Sequence, residues 1–103
     1  PPLAQFSDMV ADAEGFVYLA DAERSLLLKL SPAGEMVAAI GGDWGMYRPR
    51  GVALSPDGRL FVADTGRNRI AVGTTDGRFQ KQIVPPSSFG PFEQPKADVA
   101  VPE

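Results

Sequence analysis

Neither cysteine nor histidine occurs among the 103 residues of this chain. Without cysteine there is no disulfide framework and no thiolate metal site, and without histidine the usual zinc sites go as well. Long hydrophobic runs are missing too. Stretches such as Leu26-Leu27-Leu28 fall far short of the roughly 20 apolar residues that a membrane-crossing helix needs. No basic and apolar leader opens the chain, so a signal peptide is expected to have been removed or never to have existed. Neither sign of charge dominates, with 10 Lys and Arg against 13 Asp and Glu. The formal net charge is −3, a mild acidity that argues against nucleic acid, whose phosphates are gripped by clustered Lys and Arg. What the chain has in plenty is punctuation. Ten prolines and eleven glycines, with 44% hydrophobic residues, suit one globular unit of short strands and turns rather than a disordered tail.

The most regular stretch runs from Pro49 to Val72, PRGVALSPDGRLFVADTGRNRIAV. Val52-Ala53-Leu54 is a short apolar run, and Ser55-Pro56-Asp57-Gly58 reads as a tight turn. Pro56 presets φ, Asp57 is expected to bond nearby backbone, and Gly58 tolerates positive φ. Leu60 to Ala63 is a second strand, and the polar loop Asp64 to Asn68 reverses the chain again. Arg69 to Val72 is a third strand, Thr75-Asp76-Gly77 a turn, and Phe79 to Val84 a fourth strand. Four antiparallel strands joined by hairpins form a meander, the unit of a β-propeller blade.

The same grammar stands earlier in the chain. Met9-Val10-Ala11, Phe16 to Ala20, Leu26 to Leu30 and Met36 to Ile40 are predicted strands, with turns at Asp12 to Gly15 and Ser31 to Gly34. A shift of about 43 residues lays residues 8–41 onto 51–84 without a gap and matches Gly15 to Gly58, Asp21 to Asp64, Arg24 to Arg67 and Gly34 to Gly77. Identity falls on turns and strand ends, where geometry is most demanding. The fold class is therefore read as all-β, two four-stranded antiparallel blades at about 8–41 and 51–84. After a proline-rich passage the pattern restarts at residues 98–102, as the opening strand of a third blade.

These residues resemble an NHL repeat, whose pattern runs P-x-G-V-A-V, then D-G, a hydrophobic strand ending V-A-D, and N-x-R-[IV] or close to it. Matches fall at Pro49, Gly51, Val52, Ala53, Asp57, Gly58, Val62, Ala63, Asp64, Asn68, Arg69 and Ile70. The earlier copy departs from it, with Asp8 in place of Gly51 and Ser25-Leu26 in place of Asn68-Arg69. The resemblance implies a ring that usually has six blades. Two blades alone would leave apolar flanks in water, so a protein partner or copies of the chain itself are expected to complete the propeller. Binding scaffolds, RNA binders and a few enzymes share the repeat. Some similar propellers are lyases that rely on histidine-bound metal, and this chain has no histidine. It is accordingly read as a non-catalytic interaction and assembly module, with no catalytic, cofactor or metal residue assigned.

Strand order places the first-to-second and third-to-fourth turns on one face of the ring. The second-to-third loops and the blade-to-blade connections lie on the other. That second face receives Arg24, Trp44, Met46, Tyr47, Arg48, Arg50, Arg67, Phe89 and Phe92, of types enriched at interfaces. The competing reading has the aromatic and methionine side chains plugging gaps between blades. Asp21 and Asp64 are expected to cap the loops that follow their strands through backbone N–H groups, and Arg69 to reach across its loop or toward the adjoining blade.

Overall fold

Runs of four to six residues between turn signals become strands, apolar for the most part, although the first (FSDMVA) and the last (FQKQI) carry polar residues and are largely exposed. In the computed structural model, which describes residues 6–86, β1 (Phe6–Ala11), β2 (Val17–Asp21), β3 (Leu26–Leu30) and β4 (Met36–Ile40) form one sheet in the order β1-β2-β3-β4. The second sheet, β5-β6-β7-β8, comprises β5 (Gly51–Leu54), β6 (Arg59–Asp64), β7 (Arg69–Thr74) and β8 (Phe79–Ile83). All neighbours are antiparallel. No α-helix occurs among the described residues, and none of its helices is long and apolar enough to cross a membrane. The strand expected at residues 98–102 lies outside the described residues.

The 43-residue period extends to hydrogen bonds and irregularities. Asp12 N–H donates to Phe16 O at 2.9 Å, and Ser55 N–H to Arg59 O at 2.8 Å. Ser31 and Thr74 close the two later turns in the same way, onto Glu35 O and Arg78 O. Each of these four turns opens on a residue with a side-chain oxygen, which also accepts the N–H four residues on: Asp12 from Phe16, Ser31 from Glu35, Ser55 from Arg59, Thr74 from Arg78. The backbone bond expected of Asp57 is therefore made by Ser55 instead. Asp57 itself accepts from the Ser55 hydroxyl and the Arg59 guanidinium. Both third strands carry a register shift at the same place, between Lys29 and Leu30 and between Val72 and Gly73. Such bulges sharpen strand twist.

The two sheets pack face to face. Side-chain alternation sends Tyr18, Ala20, Leu27 and Ile40 of the first sheet against Val52, Leu60, Val62 and Ala71 of the second, with Trp44 and Met46 from the connection between them. Polar ties close the seam. Val52 N–H donates to Asp8 Oδ2 at 3.0 Å, so the aspartate standing where the repeat pattern has glycine bridges the sheets. Lys29 Nζ donates to Thr75 O at 3.4 Å and lies over the rings of Phe16 and Tyr18, at 4.9 and 5.5 Å from their centroids. The β7–β8 turn thus leans onto the flank of the first sheet, a consequence of twist that strand order alone does not convey.

Tyr18 is fully buried, and its hydroxyl donates to Asp12 Oδ2 at 3.0 Å. Burial, then the hydrogen bond and charge of Asp12, push the phenol from 10.0 up to about 12. On Asp12, burial acts upward, but the Tyr18 hydroxyl, two backbone N–H groups and the Lys29 charge outweigh it and hold the carboxyl below its ordinary value. The signs follow from linkage. A phenol whose folded pKa is raised contributes stability that is complete below its unfolded value and is lost as pH climbs through the folded one. The Asp12 contribution is present above the ordinary carboxylate value and disappears as pH falls through the lowered one. In Tyr18→Phe, urea midpoints are expected to drop at neutral pH and to lose the alkaline decline expected of the native chain between about 10 and about 12.

Candidate functional site

The connection from β4 to β5 is the centre of the second face, and its course is fixed by backbone bonds to both sheets. Trp44 N–H turns back onto Gly41 O at 3.0 Å. Tyr47 N–H donates to Asp64 Oδ1 at 2.8 Å, and Tyr47 O accepts from Gly66 N–H at 2.9 Å. Arg48 N–H donates to Ser25 Oγ at 3.1 Å, Pro49 O accepts from the Ser7 hydroxyl at 3.0 Å, and Arg50 N–H donates to Ala63 O at 3.0 Å. Tyr47-Arg48 is thus clasped between the loop after β2 and the loop after β6.

Asp64 and Arg69 anchor this clasp from beneath. Arg69 Nε meets Asp64 Oδ2 at 2.8 Å, its second terminal nitrogen reaches Trp44 O at 2.6 Å, and its first reaches Gln82 at 3.0 Å. Asp64 is fully buried, so both its oxygens are engaged without water, one by a charge and one by a linker N–H. Arg69 therefore reaches the connection between the sheets. Asp64 does not cap its own loop as expected. Asp21 does: its Oδ1 accepts Glu23 and Arg24 N–H at 3.0 Å each, and its Oδ2 meets the Arg24 guanidinium at 3.2 Å. Leu26 stands where Arg69 does, so no guanidinium from the third strand reaches Asp21, and the exposed Arg24 of its own loop takes the second oxygen instead.

Two of the face candidates are inside. Trp44 is 4% exposed and Met46 7%, so packing between sheets describes them, not display. The indole Nε1 donates to Gly77 O at 3.2 Å, and the ring lies against Phe79 at 6.0 Å between centroids. It also lies against Gly73, where a Cβ would stand 2.4 Å from ring carbons. A glycine inside an apolar strand signals such a close approach, and it was the one cue in the sequence to where Trp44 goes. Arg50 is half-buried, and Phe89 and Phe92 lie outside the described residues. The others meet at the clasp. Tyr47 is 54% exposed, and Arg24, Arg48 and Arg67 are exposed. Tyr47 lies over Gly66, where a Cβ would come within 2.4 Å of its ring.

The opposite end holds an open groove of about 570 Å³ bordered by Val10, Asp12, Glu14, Leu54, Ser55 and Thr75. Its inner carboxylate, Asp12, is already occupied by Tyr18, Glu14 and Phe16, which leaves little for a ligand. Among the described residues, no three carboxylates gather closely enough to hold a metal ion.

Residues 46–72, the clasp and the first three strands of the second sheet, match the family model for the NHL repeat. The chain carries an NHL repeat. Its sheets are β-propeller blades, and solved propellers superpose on both. A virginiamycin B lyase from Staphylococcus aureus aligns with a TM-score of 0.64 at 14% identity, over 82% of this chain and 28% of its own. A streptogramin B lyase aligns at 0.69 and 15% identity, over 80% and 27%. A catalytically inactive histidine-to-alanine variant of the S. aureus enzyme with quinupristin gives 0.65 and 16%, over 80% and 27%. At such identity the likeness concerns the fold, and the chain spans little more than a quarter of these proteins' length. No curated protein matches the sequence.

Proposed function

We propose that the chain is a non-catalytic interaction and assembly module, two blades of a propeller that further blades complete, whether from copies of itself or from other chains. The observation that carries this reading is the equivalence of the seam to the outward flanks. Tyr18, Ala20 and Leu27, which face the second blade, correspond at the 43-residue period to Phe61, Ala63 and Ile70 on its far side. Leu60, Val62 and Ala71, which face the first blade, correspond to Val17, Leu19 and Leu28. Each flank is apolar and built to the geometry that already holds the two sheets together; Val17, Phe61, Ala63 and Ile70 are half-buried and Met9 and Met36 exposed, while Leu19, Leu28 and Val72 are buried.

Both buried carboxylates, Asp21 and Asp64, are engaged in holding loops, which favours a scaffold over a reaction centre. A second reading, part of a larger propeller lyase, is favoured by the chemistry of the solved neighbours. This chain, however, brings no histidine of its own, and a histidine replacement accompanies inactivity in one of them. Molar mass by light scattering separates the readings. A mass three times that of one chain is expected, six blades in one ring, and Met36→Asp is expected to lower it while far-UV circular dichroism is kept. A monomer that stays folded on dilution would overturn self-completion.

A further inference from the structure

We propose that Tyr47, Arg48 and Arg67, with Arg24 beside them, form a docking platform for an acidic peptide segment of a protein partner; this rests on the reading of the chain as an interaction module and names the chemistry of its partner. Three observations converge. The first is charge left over. Among the described residues Arg48 and Arg67 enter no ion pair, and Arg24 spends one nitrogen on Asp21 while its side chain stays 56% exposed. The opposite end collects Asp12, Glu14, Asp57 and Asp76, where Arg59 pairs with Asp57 and Arg78 stands beside Asp76. Three arginines with charge to spare thus stand around the clasp of a chain whose net charge is −3.

The second is strain where display is needed. Arg48 has φ of +57°, a left-handed conformation that costs a non-glycine residue about 1–2 kcal/mol. Glycine would relieve it, yet a residue with a long cationic side chain stands there, its backbone N–H held by Ser25 Oγ. Outliers of this kind concentrate at functional positions. The third is rigidity. The Tyr47 backbone is fixed at both N–H and C=O, and its ring is seated over Gly66, so an exposed aromatic is presented at little further entropic cost.

Peptide fits better than nucleic acid. Exposed Glu23 and Asp43 stand among the arginines and would repel a continuous phosphate run, whereas a short acidic segment can avoid them. Among the described residues Tyr47 is the one exposed aromatic ring at the clasp, a single stacking surface, too few for successive bases.

The test is fluorescence anisotropy of a labelled peptide of alternating Asp and Glu with one central Phe, titrated with the full chain at low and high salt. A lysine-rich peptide and a uridine oligonucleotide serve as competitors. Saturable, salt-sensitive binding is expected, with Arg67→Glu weakening it by roughly tenfold, the size expected when an exposed attraction becomes a repulsion. Tyr47→Ala should weaken it further while circular dichroism is unchanged. Arg67 is the primary variant because Arg48 carries the strained backbone. Absent binding of the acidic peptide at low salt, binding indifferent to Arg67→Glu, or stronger retention of the oligonucleotide would each overturn the assignment, whatever the chain's mass in solution.

Discussion

Asp64→Ala is expected to destabilise the chain by about 3–5 kcal/mol, the usual cost of stripping one partner from a buried ion pair. Two groups lose their acceptor together. The Arg69 guanidinium, only 12% exposed, keeps its charge with no carboxylate at 2.8 Å, and the Tyr47 N–H is left facing a methyl group. Against a total stability of about 5–15 kcal/mol for a domain of this kind, that is a large fraction. Urea titration followed by circular dichroism reads it directly. Asp21→Ala provides the internal comparison. Its Oδ1 bonds belong to its own loop and its ion pair reaches an exposed arginine, so the loss should be smaller. Equal losses at both positions would show that the tie between the connection and the second blade contributes nothing beyond loop capping.

The second large effect is at the seam. Trp44→Ala removes a side chain that fills the space between blades, and a cost of about 3–5 kcal/mol is expected from the cavity together with the lost transfer energy. Gly73→Ala probes the same contact from the other side, since its added carbon would collide with the indole and approach Arg78 O at 2.7 Å. A double-mutant cycle distinguishes packing from a general loss of foldability. In the Trp44→Ala background, Gly73→Ala should cost less than in the native chain, because the indole it strikes is gone. Additive losses would mean that the two residues do not meet in solution.

How much of this was legible in the sequence depended on how far apart the interacting residues lie. Each blade is a run of local decisions: a turn tetrad, an apolar run, a loop ending in a left-handed residue such as Asn68. Those decisions are printed in adjacent letters, and the strand boundaries follow them within a few residues. The paired Ser25 and Asn68, both at positive φ, show that backbone shape is retained even where the letters differ. The seam is another matter. Tyr47 and Asp64 are separated by 17 positions, Trp44 and Gly77 by 33, Asp8 and Val52 by 44, and Lys29 and Thr75 by 46. No periodicity within one blade records them. Trp44 and Met46 carry the same letters whether they face water or a neighbouring sheet, so composition alone could not decide between display and packing. Only Gly73, weak as a strand residue, hinted that something broad lay against it.

The bond from Tyr47 to Asp64 straddles the border between two copies of the unit, which bears on how such a chain can grow or shrink over its history. A copying event cut at sheet edges would part a donor from its acceptor, whereas one cut in mid-connection would carry both. Inheritance by whole overlapping modules is thereby favoured over inheritance by sheets. At Leu26 the third-strand guanidinium is missing and the carboxylate of Asp21 holds its own loop, so the first blade displays the unit without that obligation.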